Sequence, residues 1–388
     1  MSDASMVMCN VGVQWTQIKD EVLGEIEALL SSGKYILGEK ITAFEQKFTE
    51  FCNAKHCVGV ANSTDTLVIA MRALAINRGY PIWWSAITTP LTFVATANAI
   101  LRAGGHLELA DVDAYGQLSG ESVARNITST TAIAVPVHLY GATSNLANIQ
   151  ELTRRPWQPN IATPNVDIVE DCAQAHGASV QGKKAGTIGA AGTFSFFPTK
   201  PLGCCGDGGA IITDNHELYE TMLALRGQGG RDKNDVKHIG GLNSRLDAVQ
   251  AVILSAKLKR LPDWQARRLH TAKLYDELLE STTAHERGLI RRIGARPNSD
   301  HALHQYVVVA NARDQLQAHL KANGVPTQIH YPKLISQHTA YKRQFAERRF
   351  PMAEHLVAQI LSLPFYAYMP DSVAETVVGE IERFYSAA

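Results

Sequence analysis

Ile18, Val22, Ile26 and Leu29 recur at helical spacing on one face, and Ile41, Phe44, Phe48 and Phe51 do the same on a second stretch, with Gly33 and Gly38 punctuating the two. From His56 to about Asp214 short apolar runs alternate with helical patterns: Cys57 to Val60, Leu67 to Leu74, Leu107 to Val112, Ala132 to Val137, Leu146 to Leu152, Asp167 to Val169 and Thr193 to Phe197. That alternation predicts an α/β fold with a mainly parallel central sheet and helices on both faces. The charged, glycine-rich stretch from Arg226 to Gly241 reads as a loop, and 154–164, with its prolines, as another. Leu246, Val249, Ile253 and Leu258 open a long helical region that runs through Leu274 and Leu278. A strand at Tyr306 to Val309 and helical patterns near Leu316 to Leu320 and Val373 to Ile381 complete a smaller α+β unit. The expected division is a large domain over 1–255 and a small C-terminal domain over 256–388. Trp83 and Trp84, adjacent on an expected strand, must face opposite sides and fill core on both.

At 388 residues the chain can bury two cores. Lysine plus arginine equals aspartate plus glutamate at 37 each, so no overall field draws the protein to nucleic acid or an acidic membrane, and an anionic ligand needs a local site. The six cysteines form no CxxC pair and no zinc spacing, so no metal site is expected and the thiols are read as reduced. No apolar run reaches bilayer length and the N-terminus has no signal-peptide pattern, which points to the cytoplasm.

Lys200 carries the strongest chemical signal. It stands in Phe196-Phe197-Pro198-Thr199-Lys200-Pro201-Leu202-Gly203, followed by the glycine-rich Gly206-Asp207-Gly208-Gly209. The prolines fix two φ angles, the aromatic run reads as a buried strand, and the glycines admit close approach of backbone to a bound group. Lysine amines form Schiff bases, and burial eases their deprotonation, so pyridoxal phosphate is the obvious carbonyl partner. In Ile168-Val169-Glu170-Asp171 an apolar strand ends on a carboxylate able to keep a pyridine nitrogen protonated, or to cap the next helix; Gln174, three residues on, would reach the ring hydroxyl. Asn62-Ser63-Thr64-Asp65-Thr66 follows a strand and opens a helix, where Ser63 or Thr64 would cap the helix, cradle a phosphate, or do both. Ser195 offers another hydroxyl, and Phe93 would stack on a ring or fill core.

These segments, in this order and with Gly33 to Gly38, Gly241-Leu242-Asn243-Ser244-Arg245-Leu246-Asp247 and Ser362-Leu363-Pro364, resemble the DegT/DnrJ sugar aminotransferases from about Ile18 to Ile381. The resemblance implies an aspartate aminotransferase-like fold (fold type I). It makes Lys200 the catalytic lysine bound to pyridoxal 5'-phosphate, with pyridoxamine phosphate as the amino carrier. Asp171 then partners the ring nitrogen, Gln174 the ring hydroxyl, Phe93 the ring face, and Ser63, Thr64 and Ser195 the phosphate. Asn243 would reach the phosphate bound by the neighbouring subunit, making a homodimer with shared sites. Lys200-Pro201-Leu202-Gly203-Cys204, Asn243-Ser244-Arg245 and Val325-Pro326-Thr327 with His330-Tyr331-Pro332 further resemble members that aminate UDP-2-acetamido-2-deoxy-3-oxo-D-glucuronate for bacterial surface polysaccharide (lipopolysaccharide O-antigen). By that likeness the partners are a UDP-linked keto-sugar and L-glutamate, with Arg245 from the second subunit meeting the sugar carboxylate and His330 and Tyr331 near the nucleotide sugar. Arg245 also has a plain reading, at the start of a helix. A dehydratase of this family carries histidine in place of the lysine, and a non-catalytic regulator should lose Lys200 or Asp171. An aminotransferase for 4-keto-6-deoxy sugars or a cyclitol would share every cofactor residue.

Overall fold

Short segments centred on apolar residues make strands that are largely buried, and seven of them build the main sheet. The computed structural model describes residues 6–154, 165–232 and 234–387, so the loop expected over 154–164 lies, beyond Arg154, outside the described residues. In chain order the strands are β1 (His56–Val60), β2 (Ser85–Thr88), β3 (His106–Leu109), β4 (Thr131–Val135), β5 (Asp167–Asp171), β6 (Ser179–Val180), β7 (Lys183–Lys184), β8 (Ala191–Ser195), β9 (Gly209–Thr213), β10 (Ile290–Arg292), β11 (Ser299–Asp300), β12 (Tyr306–Ala310) and β13 (Ile360–Leu363). The 7-stranded sheet has the order β1-β9-β8-β5-β4-β2-β3. Only β9 runs against its neighbours, so the sheet is mainly parallel, as the alternating pattern requires.

Helix Glu39–Cys52 buries Ile41, Phe44 and Phe48, the face its periodicity marks. Phe48 meets Phe194 and Phe196 edge to face at 5.1 and 5.4 Å between ring centroids, and Phe44 meets Phe196 at 5.5 Å. Each such pair adds about 0.5–1.5 kcal/mol beyond area burial, which anchors the end of β8 just before the turn that carries Lys200. Helix Ala248–Glu280 continues through Pro262 and touches both halves, with Leu254 and Leu261 in the core under the main sheet and Tyr275 and Leu279 in the second core. That second core lies under the antiparallel sheet β10-β12-β13, which helix Asp371–Ser386 covers with Val377, Val378 and Ile381.

The tryptophan pair departs from the sequence reading. β2 begins only at Ser85, and Pro81, which has no N–H to give a sheet, starts a turn closed by the Trp84 N–H on the Pro81 carbonyl at 3.0 Å. Trp84 packs over Gly105, where an added Cβ would collide with its ring, whereas Trp83 is 57 % exposed and fills no core.

Candidate active site

The C-terminal ends of β1, β5 and β8 point to one edge of the sheet, the place where parallel sheets collect ligands. There they surround a cavity of about 420 Å³. Its wall brings together Ser63, Thr64, Phe93, Asp171, Gln174, Ser195, Lys200, His330 and Tyr331, all expected from the sequence. Asn243 is exposed, Arg245 is half-buried, and neither belongs to this lining.

Lys200 rides on a turn that only glycine can close. Its N–H donates to the Phe197 carbonyl at 2.9 Å, and a Cβ on Gly203 would come within 2.5 Å of the Pro198 carbonyl oxygen. Gly209 is equally constrained, since a Cβ there would meet Thr66 Cγ2 at 2.7 Å and the backbone at Asn62 at 3.0 Å. This close approach brings β9 against the start of helix Ser63–Arg78. Burial lowers the Lys200 amine from the ordinary 10.5 to about 8, with the Asp171 carboxylate pulling the other way.

At the opposite end, Asn62 and not Ser63 or Thr64 caps the helix, accepting the Asp65 N–H at 2.9 Å. Its extended backbone leads out of the strand and lets its short amide fold back, which leaves the hydroxyls of the cavity-lining Ser63 and Thr64 without a hydrogen bond among the described residues. Ser195 is the last residue of β8 and accepts the Phe197 N–H at 3.3 Å.

Asp171 ends β5, buried, with Oδ1 accepting the Ala173 N–H at 3.2 Å and Oδ2 accepting the Thr96 hydroxyl at 2.9 Å. Burial raises its carboxyl, while those two donors, Lys200 and His138 oppose the rise. Gln174 spends its carbonyl oxygen on the Tyr140 N–H at 2.5 Å, so its NH2 group, 3.3 Å from the Tyr331 hydroxyl, is the part left to serve a ligand oxygen. Phe93 precedes helix Val94–Ala103, 56 % exposed, and its ring centroid lies 5.6 Å from that of Tyr331. His330 is joined to Tyr331 by a cis peptide; its Nδ1 meets the Ser362 hydroxyl at 2.8 Å, and its carbonyl accepts the Tyr140 hydroxyl at 2.6 Å.

Sequence reasoning passed over His304 and Gln305, which close the cavity from the residue pair before β12, and Thr92 and Thr96 on the side of Phe93. A histidine and a glutamine directly before an apolar strand were the available signal. It also passed over the role of Glu170. His138, Glu170 and Cys172 place ligand-type atoms within 4.8 Å of one another. Glu170 is saturated, however, by the Gly186, Ile188 and Gly189 N–H groups at 2.7–2.8 Å and by His138 Nε2 at 2.9 Å, while burial holds the Cys172 thiol far above its usual value. The cluster is a structural brace beneath Asp171.

The sequence pattern of the DegT/DnrJ/EryC1/StrS aminotransferase family matches residues 16–382. The chain belongs to this family. It is 35% identical over 380 residues (97% of this chain, 98% of the relative) to the "Pleiotropic regulatory protein" of Geobacillus stearothermophilus. It is 34% identical over 358 residues (92% and 94%) to the UDP-2-acetamido-2-deoxy-3-oxo-D-glucuronate aminotransferase of Pseudomonas aeruginosa. The crystal structure of S. venezuelae DesV in complex with a ketimine intermediate superposes with a TM-score of 0.90 at 32% identity, covering 98% of each chain. The protein is a fold type I, pyridoxal phosphate-dependent sugar aminotransferase.

The side chains present fit that cofactor. A phosphate dianion matches a helix N-terminus flanked by three hydroxyls, a protonated ring nitrogen matches a buried carboxylate, and an aldehyde matches an amine that has no hydrogen bond or ion pair among the described residues.

Proposed function

We propose that this enzyme moves the amino group of L-glutamate to the ketone of a UDP-linked keto-sugar, with UDP-2-acetamido-2-deoxy-3-oxo-D-glucuronate as the first candidate, in the cytoplasmic synthesis of a bacterial surface polysaccharide. The observation that carries the chemistry is the Lys200 amine, lowered to about 8 and facing the same cavity as Asp171. The 34% identity to the Pseudomonas aeruginosa enzyme supports the acceptor.

Pyridoxal phosphate, when bound, supplies a carbonyl for amines and a ring that withdraws electrons from the adjoining substrate carbon. Ser63, Thr64, Ser195 and the first N–H groups of helix Ser63–Arg78 would hold its phosphate, Asp171 its ring nitrogen, Gln174 its ring hydroxyl and Phe93 its face. Lys200 Nζ takes the proton from the α-carbon of glutamate and, in the return half, delivers one to the sugar carbon that gains nitrogen. An amine held at about 8 suits both duties, taking the proton as the free base and delivering it as the ammonium. Residues 1–255 would form the cofactor domain, and 256–388 would contribute His304, Gln305, His330 and Tyr331 to the sugar side. Asn243 and Arg245 would serve the site of a second copy. Tyr35, Ile36, Val236 and Ile239 are exposed apolar side chains that a second copy would cover.

The test loads the protein with pyridoxamine phosphate and adds UDP-linked 3-keto and 4-keto N-acetyl sugars, with and without the C6 carboxylate. Return of the visible absorbance only with the 3-keto glucuronate is the expected result; return with a 4-keto sugar moves the chemistry to C4. The name of the Geobacillus relative supports a second reading, a regulator on this fold. A protein that fails even to convert pyridoxal phosphate with L-glutamate would favour it.

A further inference from the structure

Thr92, Thr96 and Asp171 form a chain of three buried polar groups beside the cavity. Thr96 Oγ1 lies 2.9 Å from Asp171 Oδ2, and Thr92 Oγ1 lies 3.2 Å from Thr96 Oγ1. All three residues are at most 5 % exposed, so water does not replace a lost partner cheaply. We infer that Thr96 is a positioning residue that aims the Asp171 carboxylate at the cofactor's ring nitrogen, and that Thr92 fixes the direction of the bond it uses.

The direction follows from counting protons. An ionised carboxylate only accepts, so the single hydroxyl proton of Thr96 is committed to Asp171. The Thr92–Thr96 contact must then run from Thr92 as donor to Thr96 as acceptor, and a hydroxyl that accepts is a stronger donor onward. The second carboxylate oxygen is held separately by the Ala173 N–H at 3.2 Å. With one oxygen tied to helix Val94–Ala103 and the other to the turn after β5, rotation of the carboxylate breaks at least one bond. The other charged or titratable groups facing Asp171 are Lys200, His138, Tyr331 and Cys172; no side chain among them hydrogen-bonds its carboxylate, and the His138 backbone N–H donates instead to the Asp171 carbonyl at 3.0 Å. Burial pushes the Asp171 carboxyl up, so removing the Thr96 donor weakens the anion that keeps the ring nitrogen protonated.

The inference rests on the cofactor and not on the sugar acceptor, and its test uses no sugar, so either can fail alone. Wild type, Thr96→Val, Thr96→Ser, Thr92→Val and the double valine variant are loaded with pyridoxal phosphate labelled with 15N in the ring. The 15N resonance and the cofactor dissociation constant are measured for each. Thr96→Val should move the resonance toward the deprotonated pyridine position and raise Kd about tenfold, within reach of one hydrogen bond to a charge. Thr96→Ser should stay within about twofold of wild type. Thr92→Val, which removes no contact to Asp171, should move the resonance the same way by less, and the double variant should equal Thr96→Val. A Thr96→Val resonance at the wild-type position overturns the positioning role. Losses that multiply in the double variant, or a Thr92→Val resonance that does not move, overturn the relay; this single variant reads it even where Thr96→Val fails to fold.

Discussion

Raising the pH from 7 to 9 should speed capture of pyridoxal phosphate by the apoenzyme about tenfold, where an ordinary lysine would gain about a hundredfold. Lys200 is held at about 8 because burial strips water from its ammonium form, with Asp171 only partly offsetting that loss. At pH 7 about 9 % of such amines are neutral and at pH 9 about 91 %, whereas a lysine at 10.5 stays on the steep limb throughout, near 0.03 % and then 3 %. Growth of the visible absorbance in a stopped-flow instrument reports the rate. Nα-acetyl-lysine, run in parallel, divides out the cofactor's own ionisations, and Lys200→Arg supplies the blank for other lysines. Asp171→Asn gives the sign a second check: it deletes the anion that favours the ammonium, so the midpoint must fall below the wild-type value. A rate that keeps climbing tenfold per pH unit through pH 9, or a midpoint that rises in Asp171→Asn, would refute the account of Lys200 as a desolvated amine.

Arg245→Ala and Lys200→Ala homodimers should each be impaired on the glucuronate-type sugar, while mixing them should restore up to about a quarter of wild-type activity if each site draws on both chains; no recovery on mixing argues for sites built from one chain. Phe93→Ala, at an exposed position, should change folding stability by less than about 0.5 kcal/mol yet weaken cofactor affinity about two- to tenfold, as urea melts and cofactor titration will tell. Glu170→Gln should cost roughly 2–3 kcal/mol in urea unfolding, because three backbone N–H groups and His138 then share one neutral acceptor; a cost under 0.5 kcal/mol would deny the brace.

The sheet was legible because most of its strands centre on short apolar runs, and the ligand edge because Asp171 and Ser195 stand at the ends of β5 and β8. The cavity's second wall was not, since His304 and Gln305 stand about a hundred residues from Lys200 and only the folding of β12 against β13 carries them there. Thr96 hid for a related reason: as a threonine near a helix start it signals nothing, and its value comes from a partner 75 positions away. The tryptophans show the opposite failure. The alternation rule is sound only where a strand exists, and Pro81 delays this one to Ser85, leaving Trp83 outside.

Charge in the cavity bears on what must complete it. Among the described residues of the lining Lys200 is the sole lysine or arginine, against Asp171 and Asp207. The histidines add no cation: burial first, then the nearby Lys200 charge, lowers His330 to about 4 and holds His304 well below the usual histidine value. A cofactor phosphate and a sugar diphosphate together bring about four negative charges, and the helix N-terminus offsets only about half of one. Two like charges 4 Å apart cost about 4 kcal/mol at the effective dielectric of a protein surface, so a site left in this state would repel its own substrate. Positive charge therefore has to arrive from outside this lining. Arg245 is half-buried, forms no ion pair among the described residues, and stands in the segment proposed to reach a second copy. A guanidinium delivered there answers the charge deficit for any nucleotide sugar. It matters most for an acceptor that adds a carboxylate of its own, which is why the mixed-dimer experiment and the comparison of charged with uncharged keto-sugars bear on the same residue.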